Sequence, residues 1–165
     1  MGSINYIKRI DDLGRIVIPK EIRRILKIDE NENMKIELNN DEIIIKKHNS
    51  LNDYQKEITN YAVLVNQITK KNILVINRDE IIYSSNNIKN KEISEELRRI
   101  IINRNELDNE YKLDICYDIK IKSFYYSKNL IKNSNLLGTI IIYSEDRISD
   151  EEKELINTVS TLFNS

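Results

Sequence analysis

The first fifty residues alternate between apolar and polar positions, with one short helical interruption. Ile4 to Ile10 predicts a strand that ends at the polar turn Asp11-Asp12-Leu13-Gly14, and Arg15-Ile16-Val17-Ile18 predicts a second, β-branched strand. Pro19 suits a helix start, because its missing N–H would be unpaired there and its fixed φ fits the first turn. After it, Ile22, Ile25 and Leu26 fall at i, i+3 and i+4 and make one apolar face; Arg24 points nearly opposite and Arg23 flanks it. Met34 to Leu38 alternates as a half-buried strand, Asn39-Asn40 tolerates the positive φ of a tight turn, and Glu42 to Lys47 returns as the partner. Such a unit buries too little surface to be secure alone, so a second copy is needed.

His48 to Asn52 is polar and breaks the pattern, which divides the chain into domains at 1–50 and 51–165. From Asp53 a helix is predicted with Tyr54, Ile58, Tyr61, Val65 and Ile68 at spacings of four and three. Ile73 to Ile76 reads as a buried strand, Asn77 to Glu80 as a turn and Ile81 to Tyr83 as the hairpin partner. Ser94 to Asn103 reads as a helix capped near Ser94, with Leu97, Ile100 and Ile101 inward. Residues 113–126 alternate through Leu113, Ile115, Tyr117, Ile119 and Ile121, and Leu136 to Tyr143 is the most apolar strand. Ser149 and Glu152 form a capping box ahead of a last helix whose Leu155, Ile156, Val159, Leu162 and Phe163 share a face. The whole is α+β, the second domain having a mostly antiparallel central sheet with flanking helices. The helices over 53–68 and 149–163 fit two arrangements equally, one across a dimer axis and one on their own sheet.

Charge sharpens this picture only when it is divided along the chain, since the net value is -1. Residues 1–28 carry Lys8, Arg9, Arg15, Lys20, Arg23, Arg24 and Lys27 against Asp11, Asp12 and Glu21, whereas residues 29–45 carry Lys35 against six acids. A basic segment in a near-neutral protein calls for a partner or a solvation argument. Composition narrows the rest. A hydrophobic share of 40% with Gly 3 and Pro 1 is that of a globular chain without long linkers. With one cysteine, Cys116, and one histidine, His48, an internal disulfide, a Cys/His zinc site and a Ser-His-Asp triad within one chain are not expected. No cofactor is expected: residues 51–165 lack a histidine for haem, and Cys116 alone is poor support for a covalent chromophore, reading rather as a small core or surface thiol. No apolar run approaches the ~18 residues of a membrane helix. The start lacks a basic stretch followed by an apolar core, so a cytoplasmic location is expected. Phosphate-loop and dinucleotide glycine motifs are missing, so catalysis is not expected.

The informative stretch is Lys8-Arg9-Ile10-Asp11-Asp12-Leu13-Gly14-Arg15-Ile16-Val17-Ile18-Pro19-Lys20-Glu21-Ile22-Arg23-Arg24. Singly, each charge fits a solvated face, and Arg23 and Arg24 could pair with the acids at 29–32. Together, with Arg outnumbering Lys, they suit phosphate and base contacts, because the guanidinium fork grips phosphate oxygens or a guanine edge bidentately. The stretch closely resembles the AbrB/SpoVT family of swapped-hairpin DNA-binding domains, and the likeness spans roughly residues 4–48. It implies an intertwined dimeric β-barrel in which two chains interleave their hairpins. It also implies that Lys8, Arg9, Arg15, Arg23 and Arg24 contact DNA; Lys8 stands where relatives commonly carry Arg, which keeps the sign of the charge and loses the fork.

Residues 51–165 resemble a GAF-type domain, most clearly at Ile73 to Asp79 and at Leu137 to Ile142 followed by a Ser-Glu-Asp turn. The resemblances imply a transcriptional regulator, activator and repressor, linked to sporulation or stationary phase, nucleoid-associated, and homodimeric or homotetrameric. Its partner would be double-stranded DNA at AT-rich, deformable sites. The second domain would sense a small molecule of unspecified class or only oligomerise. Two further readings are an antitoxin, whose toxin-binding tail would replace a folded second domain, and a ligand-binding module that uses its first part only to dimerise.

Overall fold

The computed structural model describes residues 5–30, 32–48, 50–88, 92–132 and 134–163, apart from the side chains of Ser50 and Asn52. The chain divides into two compact units, Met1–His48 and Asn49–Ser165.

In the first unit α1 spans Lys20–Ile25, with Pro19 as its N-cap. It ends in a Schellman motif: Ile28 N donates to Arg23 O (2.8 Å) and Lys27 N to Arg24 O (3.3 Å), while Lys27 sits in the left-handed region at φ 51. A lysine there carries a steric cost that glycine avoids. Lys27→Gly is therefore expected to stabilise the unit by about 0.5–1 kcal/mol, seen as a rise of its melting transition; a fall would show that the Lys27 side chain contributes more than its backbone costs. Strands β1 (Met34–Asn39) and β2 (Glu42–Lys47) form an antiparallel hairpin whose two-residue turn places Asn40 at φ 51.

The expected strands before α1 are not formed within the chain. Residues 5–10 and 15–18 carry no strand ladder, and Ile4 lies outside the described residues. Among the described residues, the backbone bonds between these arms are confined to the loop end, where Asp11 N donates to Arg15 O (3.1 Å) and Gly14 N to Asp11 O (2.9 Å). A β-branched pattern favours extension, but a strand also needs a neighbour for its N–H and C=O groups, and the described residues of this chain supply none.

In the second unit five strands make one antiparallel sheet in the order β4-β3-β7-β6-β5, namely Ile81–Ser84, Asn72–Ile76, Asn135–Ser144, Ile119–Lys132 and Asp108–Cys116. Both faces are covered. Ile73 and Val75 meet α3 (Gln55–Thr69) and α5 (Asp150–Phe163), whereas Leu74 and Ile76 meet α4 (Glu95–Ile102), which is why β3 reads as one continuous apolar run. A short α2 (Ser50–Asp53) precedes α3, and its Leu51 is fully buried with the α3–α5 side of the core.

Local signals account for the caps. Ser94 Oγ accepts from Leu97 N (3.1 Å), and Ser149 and Glu152 close a reciprocal box through bonds of 3.3 and 2.7 Å. Asn77 folds the β3–β4 turn by accepting from Asp79 N and Glu80 N at 2.7 and 2.8 Å.

Three expectations need correction. The alternating run over 113–126 is two strands, broken at Tyr117, which is fully exposed at the β5–β6 turn; the alternation survives because the register shifts by one residue beside it. On α3 the inward stripe is Ile58, Ala62 and Val65, at spacings of four and three, and Ile68 is exposed, since at ~100° per residue it lies well to one side of that stripe. On α5 Leu162 is half exposed, whereas Ile156, Val159 and Phe163 are buried. Cys116 belongs to the α4 side of the core.

Candidate nucleic-acid interface

The basic residues of the first unit occupy two local frameworks. One is the loop between the extended arms, where Asp11 acts as the organiser. Its Oδ1 accepts from Leu13 N (3.0 Å) and Arg15 N (2.8 Å), and Gly14 adopts φ 75 at the fourth loop position. This is a turn closed by a left-handed glycine, and a side chain there would be strained. Asp11 Oδ2 accepts from Arg15 Nε at 2.7 Å. The backbone N–H of Arg15, then its side chain, hold the Asp11 carboxyl below the usual carboxylate range. Lys8 and Arg9 lie on the arm before this loop, and both are exposed.

The second framework is α1. Ile22 is half-buried and Arg23 and Arg24 are exposed, as the helical spacing requires. Pairing of these arginines with the acids at 29–32 does not occur. Glu32 is bound instead to Lys47 (3.2 Å) and to Asp29 N (2.9 Å). Among the described residues Lys8, Arg9, Arg23 and Arg24 have no ion-pair partner, and Arg15 has Asp11. Exposed cations left unneutralised by their own chain are available to an external anion.

The apolar side of the unit is as exposed as the basic side. No described residue from 5 to 48 is buried. Leu38 pairs with Ile43 and Ile36 with Ile45, so these four share one face of the hairpin; Leu38, Ile36 and Ile43 are 80%, 69% and 67% exposed. Ile43 and Ile45 line a trough together with Ile16, Val17, Ile22 and Leu26, and Lys8 stands at its margin. On the other face Glu37 binds Lys46 (2.6 Å) and Lys35 (2.9 Å); the Lys46 bond first, then that from Lys35, hold its carboxyl down to about 2. The hairpin therefore has a polar face satisfied within the chain and an apolar face that is not.

Comparison with known proteins places the chain. It is 34% identical to stage V sporulation protein T of Bacillus subtilis (strain 168) over 97% of its own length and 95% of that protein's. The chain belongs to the AbrB/SpoVT family. The transition state regulatory protein AbrB of the same organism is 42% identical over 48 residues, which is 29% of this chain and half of AbrB. The family described as antidote-toxin recognition MazE, bacterial antitoxin, matches residues 7–53. The likeness to stage V sporulation protein T thus extends well past the antitoxin-type segment and through the second unit, which distinguishes this chain from one that shares only the first fifty residues.

Asp11 was legible in sequence only as a turn residue. The signal for more was an Asp at the head of a glycine-closed turn with an Arg four residues on. Among the described residues no group of three His, Cys, Asp or Glu side chains gathers to hold a metal, and no helix is long and apolar enough to cross a membrane.

Proposed function

We propose that this protein is a DNA-binding transcriptional regulator that works as a symmetric dimer, or a pair of dimers, through residues 1–50. Two chains interleave their arms and hairpins into one barrel, and Lys8, Arg9, Arg15, Arg23 and Arg24 of each face the duplex. The observation that carries this is the double exposure of the first unit: an apolar face without a cover, and a basic set whose members, Arg15 apart, have no ion-pair partner among the described residues. Burying a large apolar side chain contributes about 1.5–3 kcal/mol, and a second copy offers the same uncovered face in return. The resulting barrel would carry two basic sets, making roughly 6–10 phosphate contacts per dimer with a correspondingly steep salt dependence.

Relatives named for sporulation and for the transition state support a role in sporulation or stationary-phase gene control. We read the targets as AT-rich, deformable DNA. Residues 51–165 act as a GAF-like sensor or oligomerisation domain, and the location is cytoplasmic and nucleoid-associated. The antitoxin reading is the weaker one, because the second unit is a covered five-stranded sheet rather than an extended tail.

The test is a band-shift titration of the full chain on an AT-rich duplex at several salt concentrations. Arg23→Ala is expected to weaken binding by about 10-fold or more at every sequence and to flatten the salt slope by about two per dimer. Its thermal melt should match the parent's. A variant that melts together with its loss of binding would show that Arg23 is structural, and a parent that ignores DNA at low salt would overturn the reading.

A further inference from the structure

An arginine on a loop is a poor DNA contact unless something aims it. A free Arg side chain carries about 2 kcal/mol of rotamer entropy, and what binding must immobilise is lost from affinity. The loop at Asp11 has removed that freedom in advance. One carboxylate oxygen shapes the loop by accepting the Leu13 and Arg15 amides, and the other accepts Arg15 Nε at 2.7 Å. A side-on Nε contact uses one of the five guanidinium N–H donors; the end-on pair, one N–H on each Nη, has no partner among the described residues. Arg15 remains 71% exposed in this pose, and among the described residues nothing else binds it. Gly14, left-handed and with open space where a Cβ would be, sets the loop so that the residue after it starts beside Asp11.

We propose that Asp11 is a positioning residue for DNA recognition: it clamps the Arg15 guanidinium through Nε and so presents its paired Nη groups to a backbone phosphate of the duplex. The inference rests on the DNA-binding reading above and deepens it. It also runs against simple electrostatics. Asp11 places a negative charge beside a cation that must meet phosphate, so on charge alone its removal strengthens DNA binding. A clamp predicts the opposite sign.

The experiment measures the affinity of the full chain for an AT-rich duplex by fluorescence anisotropy at one fixed low salt concentration, with thermal melts of every variant. In Asp11→Asn the amide oxygen still accepts from the Leu13 and Arg15 amides, so the loop stays, but its NH2 group cannot accept from Nε. We expect about 5–10-fold weaker binding at an unchanged melting temperature. In an Arg15→Ala background the same Asp11→Asn change should not weaken binding and should raise it slightly, because only the charge effect is left. Arg15→Lys keeps the charge without the fork and should also lose about 5-fold, which tests the geometry even if Asp11→Asn fails to fold. Asp11→Asn binding as well as or better than the parent, or Arg15→Lys binding like the parent, overturns the clamp while DNA binding itself stands. A parent chain that shows no salt-dependent duplex binding overturns both.

Discussion

Replacing Ile43 with aspartate is expected to leave single chains in solution and to reduce DNA affinity by at least about 100-fold. Ile43 is 67% exposed within its own chain, so a charge there costs that chain little; exposed substitutions usually stay within about 0.5 kcal/mol. In the proposed dimer the same position is covered. Enclosing an unpaired carboxylate in an apolar interface costs several kcal/mol, and two-fold symmetry imposes the cost twice. At about 1.4 kcal/mol per tenfold change, the dissociation constant of the dimer moves by more than two decades. DNA binding falls with it, because each chain alone offers half the basic set, and because an arm without a partner strand holds Lys8 and Arg9 in no fixed place. Native mass spectrometry and band shifts on the same sample check this. If Ile43→Asp keeps the parent's mass and affinity, the exposed hairpin face is not an assembly surface, and the apolar trough needs another explanation.

The contrast between an exposed apolar face and a sequence that predicted it to be buried shows where single-chain reading succeeds and where it stops. Period and caps were sufficient for α4 and α5: Ser94 and the Ser149–Glu152 box lie where the pattern placed them, because a cap is a contact between residues three apart. The β1–β2 hairpin was equally legible, since its partners are neighbours in sequence. The arms over 5–18 were not, because strand pairing is a property of two segments and the sequence names only one of them. Tyr117 and Ile68 were misplaced for a related reason. Alternation does not reveal a hairpin turn that preserves the alternation, and helical spacing does not say which edge of a stripe the sheet leaves bare.

The basic residues stand out in the sequence because motif and residue type coincide. That Arg15 is tied to Asp11 while Arg23 and Arg24 are free of the nearby acids was not legible, since both outcomes suit the same string of charges. Leu51 was overlooked inside a polar stretch and proves fully buried. One apolar residue amid Asn and Ser carries no period, yet it anchors the start of the second unit.

The other large effect is expected at a residue with no side chain. A Cβ on Gly138 would sit 2.3 Å from the carbonyl oxygen of Ile76 and 3.1 Å from Cδ2 of Leu51. The first contact is with backbone on the adjoining strand β3, beside the register irregularity between Val75 and Ile76, and it cannot be relieved by turning a side chain. The second is with a leucine that is itself fully enclosed by the α3–α5 core. Gly138→Ala must therefore spread β7 from β3 or push Leu51 out, and overpacking of this kind costs typically 1–3 kcal/mol, at the upper end when backbone must move. For the second unit we expect a loss of about 3 kcal/mol, which corresponds to a melting point lower by roughly 10 °C. Differential scanning calorimetry of the full chain reads this directly. Leu51→Ala separates the two contacts. It removes the leucine but not the carbonyl, so combining it with Gly138→Ala should recover little of the loss if Ile76 is the obstacle and much of it if Leu51 is. A Gly138→Ala protein that melts within about 2 °C of the parent would mean that β3 and β7 are less tightly apposed at this point than the 2.3 Å contact requires.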